Sequence, residues 1–198
     1  MQALVASIWT YRQFIVSSIK NELISPFARS KLGGLWMLLN PLAQVAIYAI
    51  IFTNVLSARF TGIEHKYAYT IYLLAGTLGW NLFQEIVNRC LNVFITNANL
   101  LKKINFPSIT LPVIVIGSSL LNYLCLLAVI LVVFLLLGHS PGLLAFWLIF
   151  LTAACVLLAV SMGLILGLLN VFIRDIGQFV PIMMQIWFWF TPIVSPVS

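Results

Sequence analysis

The side chains in this sequence that could do acid–base, nucleophilic or metal chemistry are few and scattered. Its acids are Glu22, Glu64, Glu85 and Asp175, its histidines His65 and His139, and its cysteines Cys90, Cys125 and Cys155. Proton transfer or covalent catalysis needs such a group within hydrogen-bond reach of a second one, and no spacing here brings a pair together for that purpose. The His and Cys positions lack the short spacings of zinc ligands. Three cysteines without a CxxC make neither a metal knuckle nor a disulfide framework, so they read as small apolar filler. No GxxxxGK[ST] occurs, and the chain therefore has no loop of its own to cradle ATP phosphates. One pair does stand out. Glu85 and Arg89 are four residues apart and share a face of any helix. Asn81, Gln84, Asn88 and Asn92 lie around them. Two readings stay open for this stripe: an ion pair that fixes helix packing, or a polar lining of a transport path built from Asn81, Gln84, Glu85, Asn88 and Arg89.

The elements that must position these groups follow from composition. Of 198 residues 63% are hydrophobic and 7% charged, and mean hydropathy is +1.12. A soluble domain carries about 25% charged residues, so too few polar side chains exist here to cover a water-facing surface. Disorder is excluded by the same numbers, since a chain this apolar does not stay solvated. The reading is an all-α integral membrane protein. No Lys, Arg, Asp or Glu lies between Lys31 and Arg59, or between Lys66 and Glu85, and 70 uncharged residues separate Lys103 from Arg174. A spanning helix needs roughly 20 apolar residues, and backbone hydrogen bonds in lipid must close within the segment. Runs such as Val113–Ile116 and Leu126–Leu137 do not alternate as barrel strands would.

Along the chain, Leu4, Ile8, Tyr11, Ile15, Ile19 and Leu23 recur at helical steps with Arg12, Gln13, Lys20 and Asn21 between them. That is an amphipathic helix too polar to span, lying in the membrane interface and ended by Ser25-Pro26. Five spans are expected: about Leu35–Leu56, Tyr67–Phe94, Pro112–Leu137, Leu143–Phe172 and Gln178–Val194, with a tight turn at Gly138-His139-Ser140-Pro141-Gly142 between the third and fourth. Met1–Thr10 lacks the pattern of a signal peptide. The chain stops at Pro192-Ile193-Val194-Ser195-Pro196 without a closing polar tail, as expected of a piece lacking its last span. With the N-terminus inside, the inner side carries Arg12, Lys20, Arg29, Lys31, Arg89, Lys102, Lys103 and Arg174, and the outer side only Arg59 and Lys66. This bias predicts a cytoplasmic N-terminus. The net charge of +6 is accounted for by these inner loops and anionic lipid headgroups, and no nucleic-acid partner is expected.

Two further segments admit a bland and a sharper reading. Asn97–Pro107, with Leu100, Leu101, Lys102, Lys103, Ile104 and Phe106, is either an ordinary positive-inside loop or a short surface helix that presses on a partner protein. The aromatic residues Tyr48, Trp80, Phe83, Trp187 and Phe190 either mark the membrane interfaces or offer ring faces on which sugars stack.

Four stretches together carry a resemblance. Arg29-Ser30-Lys31-Leu32-Gly33-Gly34-Leu35-Trp36 followed by Asn40-Pro41 resembles the lead into the first span of the ABC-2 type permeases of polysaccharide exporters. Asn97 to Pro107 resembles their coupling helix, Asn170-Val171-Phe172-Ile173-Arg174-Asp175-Ile176-Gly177 their inner loop before the fifth span, and Phe190-Thr191-Pro192-Ile193 the end of that span. The likeness covers nearly all of the chain as one transmembrane domain, 1–198, with a cytoplasmic or interface helix in 1–31 and the coupling helix in 95–110. It implies a transport permease of the cytoplasmic membrane and not an enzyme, with two permease copies working beside two separate ABC ATPase subunits that hold ATP–Mg, and no cofactor in this chain. It implies a lipid-linked glycan such as O-antigen, capsule or teichoic acid as cargo, and ATPase contacts through the coupling segment and through the interface helix with Arg12, Lys20, Arg29 and Lys31. The family has six spans with short re-entrant helices before the sixth, and this sequence stops before both. The alternatives are an ABC-2 permease for a drug or lipid, and a structural membrane subunit.

Overall fold

A computed structural model describes residues 7–25, 35–36, 39, 42–43, 47, 68–103, 107–136 and 146–191. Those residues are helical with short turns, and no strand occurs among them. We number the helices α1 (Arg12–Ile24), α2 (Ala68–Thr96), α3 (Ala98–Lys103), α4 (Thr110–Leu136), α5 (Trp147–Phe172) and α6 (Ile176–Phe190). Residues 7–10 are also helical, and Tyr11 breaks the run as the N-cap of α1. The expected interface helix therefore consists of two pieces.

The expected second, third and fourth spans coincide with α2, α4 and α5. Thr110–Val132 and Trp147–Phe172 are long and apolar enough to cross a bilayer, with mean hydropathies of 2.4 and 2.6. A core helix of a water-soluble protein would be mostly buried, yet only 11% of the apolar stretch of α5 is. Its outer face shows Phe150, Leu157, Ile165 and Phe172 to the surroundings. Acyl chains are the solvent that this face fits. The protein is therefore embedded in a membrane. The fifth expected span begins as α6, whose apolar helix is described only to Phe190. Most of the first expected span lies outside the described residues.

Proline placement agrees with helix mechanics. Pro112 sits in the first turn of α4, where a missing N–H costs nothing. Thr110 ties the start of the helix to the preceding turn by donating its hydroxyl to the Pro107 carbonyl at 2.7 Å. Pro181 lies inside α6, where it leaves the Gly177 carbonyl without its usual i+4 donor.

α2 is the hub. Its buried positions Leu78, Leu82, Ile86 and Cys90, with Phe83, Val87 and Leu91, form the centre of the core. α5 lies along α2 in the most extensive helix contact described. The reason is in the residues that meet. Ala159, Gly163 and Gly167 of α5 are all buried and recur every four residues. A Cβ on Gly163 would stand 2.7 Å from the Cys90 Cβ, and one on Gly167 2.5 Å from the Cys90 carbonyl oxygen. Between lipid-immersed helices, association depends on close van der Waals packing, and small residues in this spacing permit it. α4 joins the pair through Leu111, Val115 and Tyr123. The Tyr123 hydroxyl meets Thr152 Oγ1 at 3.0 Å. Thr152 uses its own proton on the Leu148 carbonyl at 2.6 Å, so the tyrosine donates.

This packing generates a test with an internal control. Gly163→Ala and Gly167→Ala should each lower stability in detergent by about 1–3 kcal/mol, since the backbone must shift. Gly79→Ala, on α2 with nothing within 4 Å of the new methyl, should leave stability unchanged or raise it by up to about 1 kcal/mol. Equal losses at all three glycines in thermal unfolding would refute the close-approach account.

Candidate functional site

α2 carries the two polar or aromatic clusters of the described residues that merit a functional reading. The first is ionic. Arg89 reaches three helices at once. Its Nη2 is paired with the Glu22 carboxylate on α1. Its Nη1 lies 3.3 Å from Glu85 Oε1, one turn back on α2, and 3.3 Å from Ser119 Oγ on α4. Glu85 Oε1 also accepts from the Ser119 hydroxyl at 2.9 Å and from Asn122 Nδ2 at 3.2 Å. The side chains of Arg89, Glu85 and Glu22 are 28%, 33% and 40% exposed, so the cluster sits at the edge of the bundle. Two carboxylates share one guanidinium, and the forked, always charged arginine suits that task. The predicted pair Glu85–Arg89 is thus present as part of a larger network. Glu22, Ser119 and Asn122 were not anticipated as its members. Ser119 and Asn122 lie three apart in an otherwise apolar helix, a legible sign of a polar face.

The other members of the polar stripe are spread over α2. Gln84 accepts a hydrogen bond from the Trp80 indole at 3.1 Å. Asn92 donates to the Asn88 carbonyl at 3.1 Å. Asn81 Nδ2 and Asn88 Oδ1 are buried atoms with no hydrogen-bond partner among the described residues.

The second cluster is aromatic and links α2 to α6. Trp80 lies 5.7 Å from Phe83, 6.1 Å from Trp187 and 5.7 Å from Phe188 between ring centroids. Phe83 meets Trp187 edge-on at 6.2 Å. Edge-to-face contacts of this kind add about 0.5–1.5 kcal/mol each beyond area burial. Of the predicted stacking residues, Trp80, Phe83 and Trp187 are therefore neighbours. Phe83 is buried, Trp187 keeps 46% of its surface, and Phe190 points away with 83% exposed. Tyr48 lies outside the described residues.

Between α2 and α4 the chain turns through α3. Asn97 opens the turn by donating its side-chain amide to the Val93 carbonyl at 2.9 Å, and its carbonyl accepts from the backbone of Leu100 and Leu101, both at 3.0 Å. Leu101 packs against the core while Lys102 is exposed. Leu100 and Pro107 are half-buried. The side chain of Lys103, and Ile104 and Phe106 altogether, lie outside the described residues. On α1, Arg12 and Lys20 are exposed. Arg12 stacks over the Trp9 ring at 4.9 Å and donates to the Trp9 carbonyl at 3.2 Å. Arg29 and Lys31 lie outside the described residues.

The α5–α6 junction depends on one asparagine. Asn170, 1% exposed, donates from Nδ2 to the Leu91 carbonyl at 3.0 Å and to Asn92 Oδ1 at 3.3 Å. It ties the end of α5 to α2. Ile173, Arg174 and Asp175 then make the turn, and Gly177 passes so close that an added Cβ would lie 2.9 Å from Asn170 Oδ1. Gly177→Ala should accordingly cost about 1–3 kcal/mol. Little of that cost should remain in an Asn170→Ala background, which removes the obstacle. A double-mutant cycle on detergent-solubilised protein checks this, with a coupling energy above about 0.5 kcal/mol expected and strict additivity refuting it.

The chain as a whole has relatives among known proteins. The family model of the ABC-2 type transporter matches residues 13–198. The chain is 29% identical over 202 residues to the O-antigen export system permease protein RfbA of Myxococcus xanthus, covering all of this chain and 74% of the relative. It is 32% and 31% identical over 169 residues to two proteins of the same name from Klebsiella pneumoniae, covering 85% of this chain. The chain spans 63% of each Klebsiella relative's length. With a family match over nearly its whole length and a membrane-embedded helical bundle to carry it, this chain belongs to the ABC-2 type transporter family of membrane permeases.

Proposed function

We propose that this chain is the permease subunit of an ATP-driven exporter that moves a lipid-linked, O-antigen-like polysaccharide across the cytoplasmic membrane. The observation that carries this reading is 32% identity over 85% of the chain to permeases named for O-antigen export. In this reading the N-terminus is cytoplasmic, two copies of the chain enclose the path, and a separate ABC ATPase holds ATP–Mg and performs hydrolysis. The residues fit that division of labour. They offer surfaces for packing and stacking, and the charged groups near one another are engaged in an ion network.

The α2–α3–α4 turn suits the contact with the ATPase. It is anchored at Leu101 and presents Lys102 outward. A rigid short helix with a buried root transmits a push along both flanking helices. Asn97, Leu100, Leu101, Lys102, Lys103, Ile104, Phe106 and Pro107 make up this proposed coupling segment. Trp80 and Trp187, neighbours at 6.1 Å, are the rings assigned in this reading to meet the sugars of the cargo.

The test is co-purification with the partner ATPase, followed by ATPase and export assays. Lipid-linked glycan should stimulate hydrolysis, whereas stimulation by a drug or a simple lipid would favour a different cargo. Lys102→Glu with Lys103→Glu should lower ATPase association about tenfold or more, the loss of one or two charge-assisted contacts. Unaltered association and export would remove the two lysines from the coupling role.

A further inference from the structure

We infer that Arg89 is a positioning residue that makes α1, α2 and α4 one rigid lever, so that motion imposed on the α2–α3–α4 turn carries the interface helix with it. This rests on the proposed transport function and adds a mechanical role for a specific network, Glu22–Arg89–Glu85–Ser119–Asn122.

The argument starts with what else holds α1. Its described contact with the bundle is with α4. There Ile15 is buried, and Ile19 lies on Gly117, whose Cα leaves no room for a methyl beneath the Ile19 side chain. Apolar contact is non-directional. It holds α1 against α4 through Ile15 and the seating of Ile19 on Gly117. The Glu22–Arg89 pair supplies the direction. Glu22 lies in the last turn of α1, and a charge-assisted bond from a planar guanidinium has a defined geometry.

Arg89 can supply that direction only if it is itself held. Its Nη1 is engaged by Glu85 and Ser119, and Glu85 is engaged in turn by Ser119 and Asn122 of α4. The network thus closes across three helices, with the second carboxylate holding the guanidinium in place for the first. A lysine ammonium retains the charge but lacks the fork that reaches both sides. Pairs half-removed from water are also worth more than surface pairs.

Location gives the network its leverage. Arg89 precedes Asn97 by eight residues, about 12 Å of helix rise, and Ser119 follows Thr110 by nine, about 13 Å. The clamp therefore sits about two to three turns from the ends of α2 and α4 that flank α3, within continuous helix on each.

Distance measurement by double electron–electron resonance tests this on the full chain in lipid, with its ATPase. Cys90, Cys125 and Cys155 are first changed to Ala, and spin labels are placed at the exposed positions Val16 and Leu124. The α1–α4 distance should be narrow and should not change between nucleotide-free and ATP-trapped states. Glu22→Gln, Arg89→Gln and Arg89→Lys should each broaden it and reduce glycan exported per ATP hydrolysed by about tenfold, the worth of a charge-assisted hydrogen bond. A nucleotide-dependent distance in the parent protein overturns the lever, because α1 then moves independently of α4. A narrow distance in Arg89→Lys overturns the two-handed role of the guanidinium. If Arg89→Gln fails to accumulate, Glu22→Gln decides the matter from the exposed end of the network. The distances are read without cargo, so failure to export a glycan in the parent protein counts against the proposed function and leaves this result standing on its own.

Discussion

The constraint on which the other features depend is the backbone approach of α5 to α2 at Gly163 and Gly167. In a membrane no water is released when two apolar helices meet, so association has to come from contact at short range. Replacing either hydrogen by a methyl would drive it into Cys90 or its carbonyl. Other features inherit this arrangement. Because α5 lies that close, Asn170 at its end can reach the Leu91 carbonyl. Because Asn170 is pinned there, the turn at Ile173–Asp175 starts α6 beside α2. Because α6 starts there, Trp187 and Phe188 arrive against Trp80. A stripe of small residues thus decides where an aromatic cluster forms several turns away.

A second constraint is the cost of polar groups away from water. Ionisable residues in spanning segments pair or face protein. Glu85 and Arg89 do both, and they recruit Ser119, Asn122 and Glu22 to do so. The hydroxyls deeper in the bundle follow the same logic with smaller means. Ser118 bonds the Ile114 carbonyl at 2.9 Å, and Thr152 serves both its own helix and Tyr123. The cluster at Arg89 differs in joining three helices, so its satisfaction and the placement of α1 are one event.

What could be read in advance follows from which signals are local. That α2, α4 and α5 are helices is legible because long uncharged runs permit little else in lipid, and α4 and α5 are also long and apolar enough to span. Glu85 and Arg89 were legible as a pair from their spacing. Their full network was not, because Glu22 meets Arg89 across 67 residues of sequence and only the packing of α1 on α4 brings them together. The break at Tyr11 is not legible in the sequence because the apolar period continues through it. The repeat Ala159–Gly163–Gly167 is a pattern of small residues that hydropathy alone does not single out in so apolar a helix. The neighbourhood of Trp80, Phe83 and Trp187 depends on the α5–α6 turn, which periodicity does not encode.

α2 is also where the two candidate regions meet mechanically. Trp80 and Arg89 are nine residues apart, about 13 Å along one helix, and both touch elements that α2 does not otherwise control: α6 at one end, α1 at the other. A helix tied to α5 by close backbone contact resists bending along that stretch. Were α2 tilted at its Asn97 end, its close contact with α5 would make the two move together at the level of the aromatic cluster. The cluster's response falls to α6, whose ladder is interrupted at Gly177 and Pro181, so the compliant joint lies in the helix that carries Trp187 and the stiff one in the helix that carries Trp80.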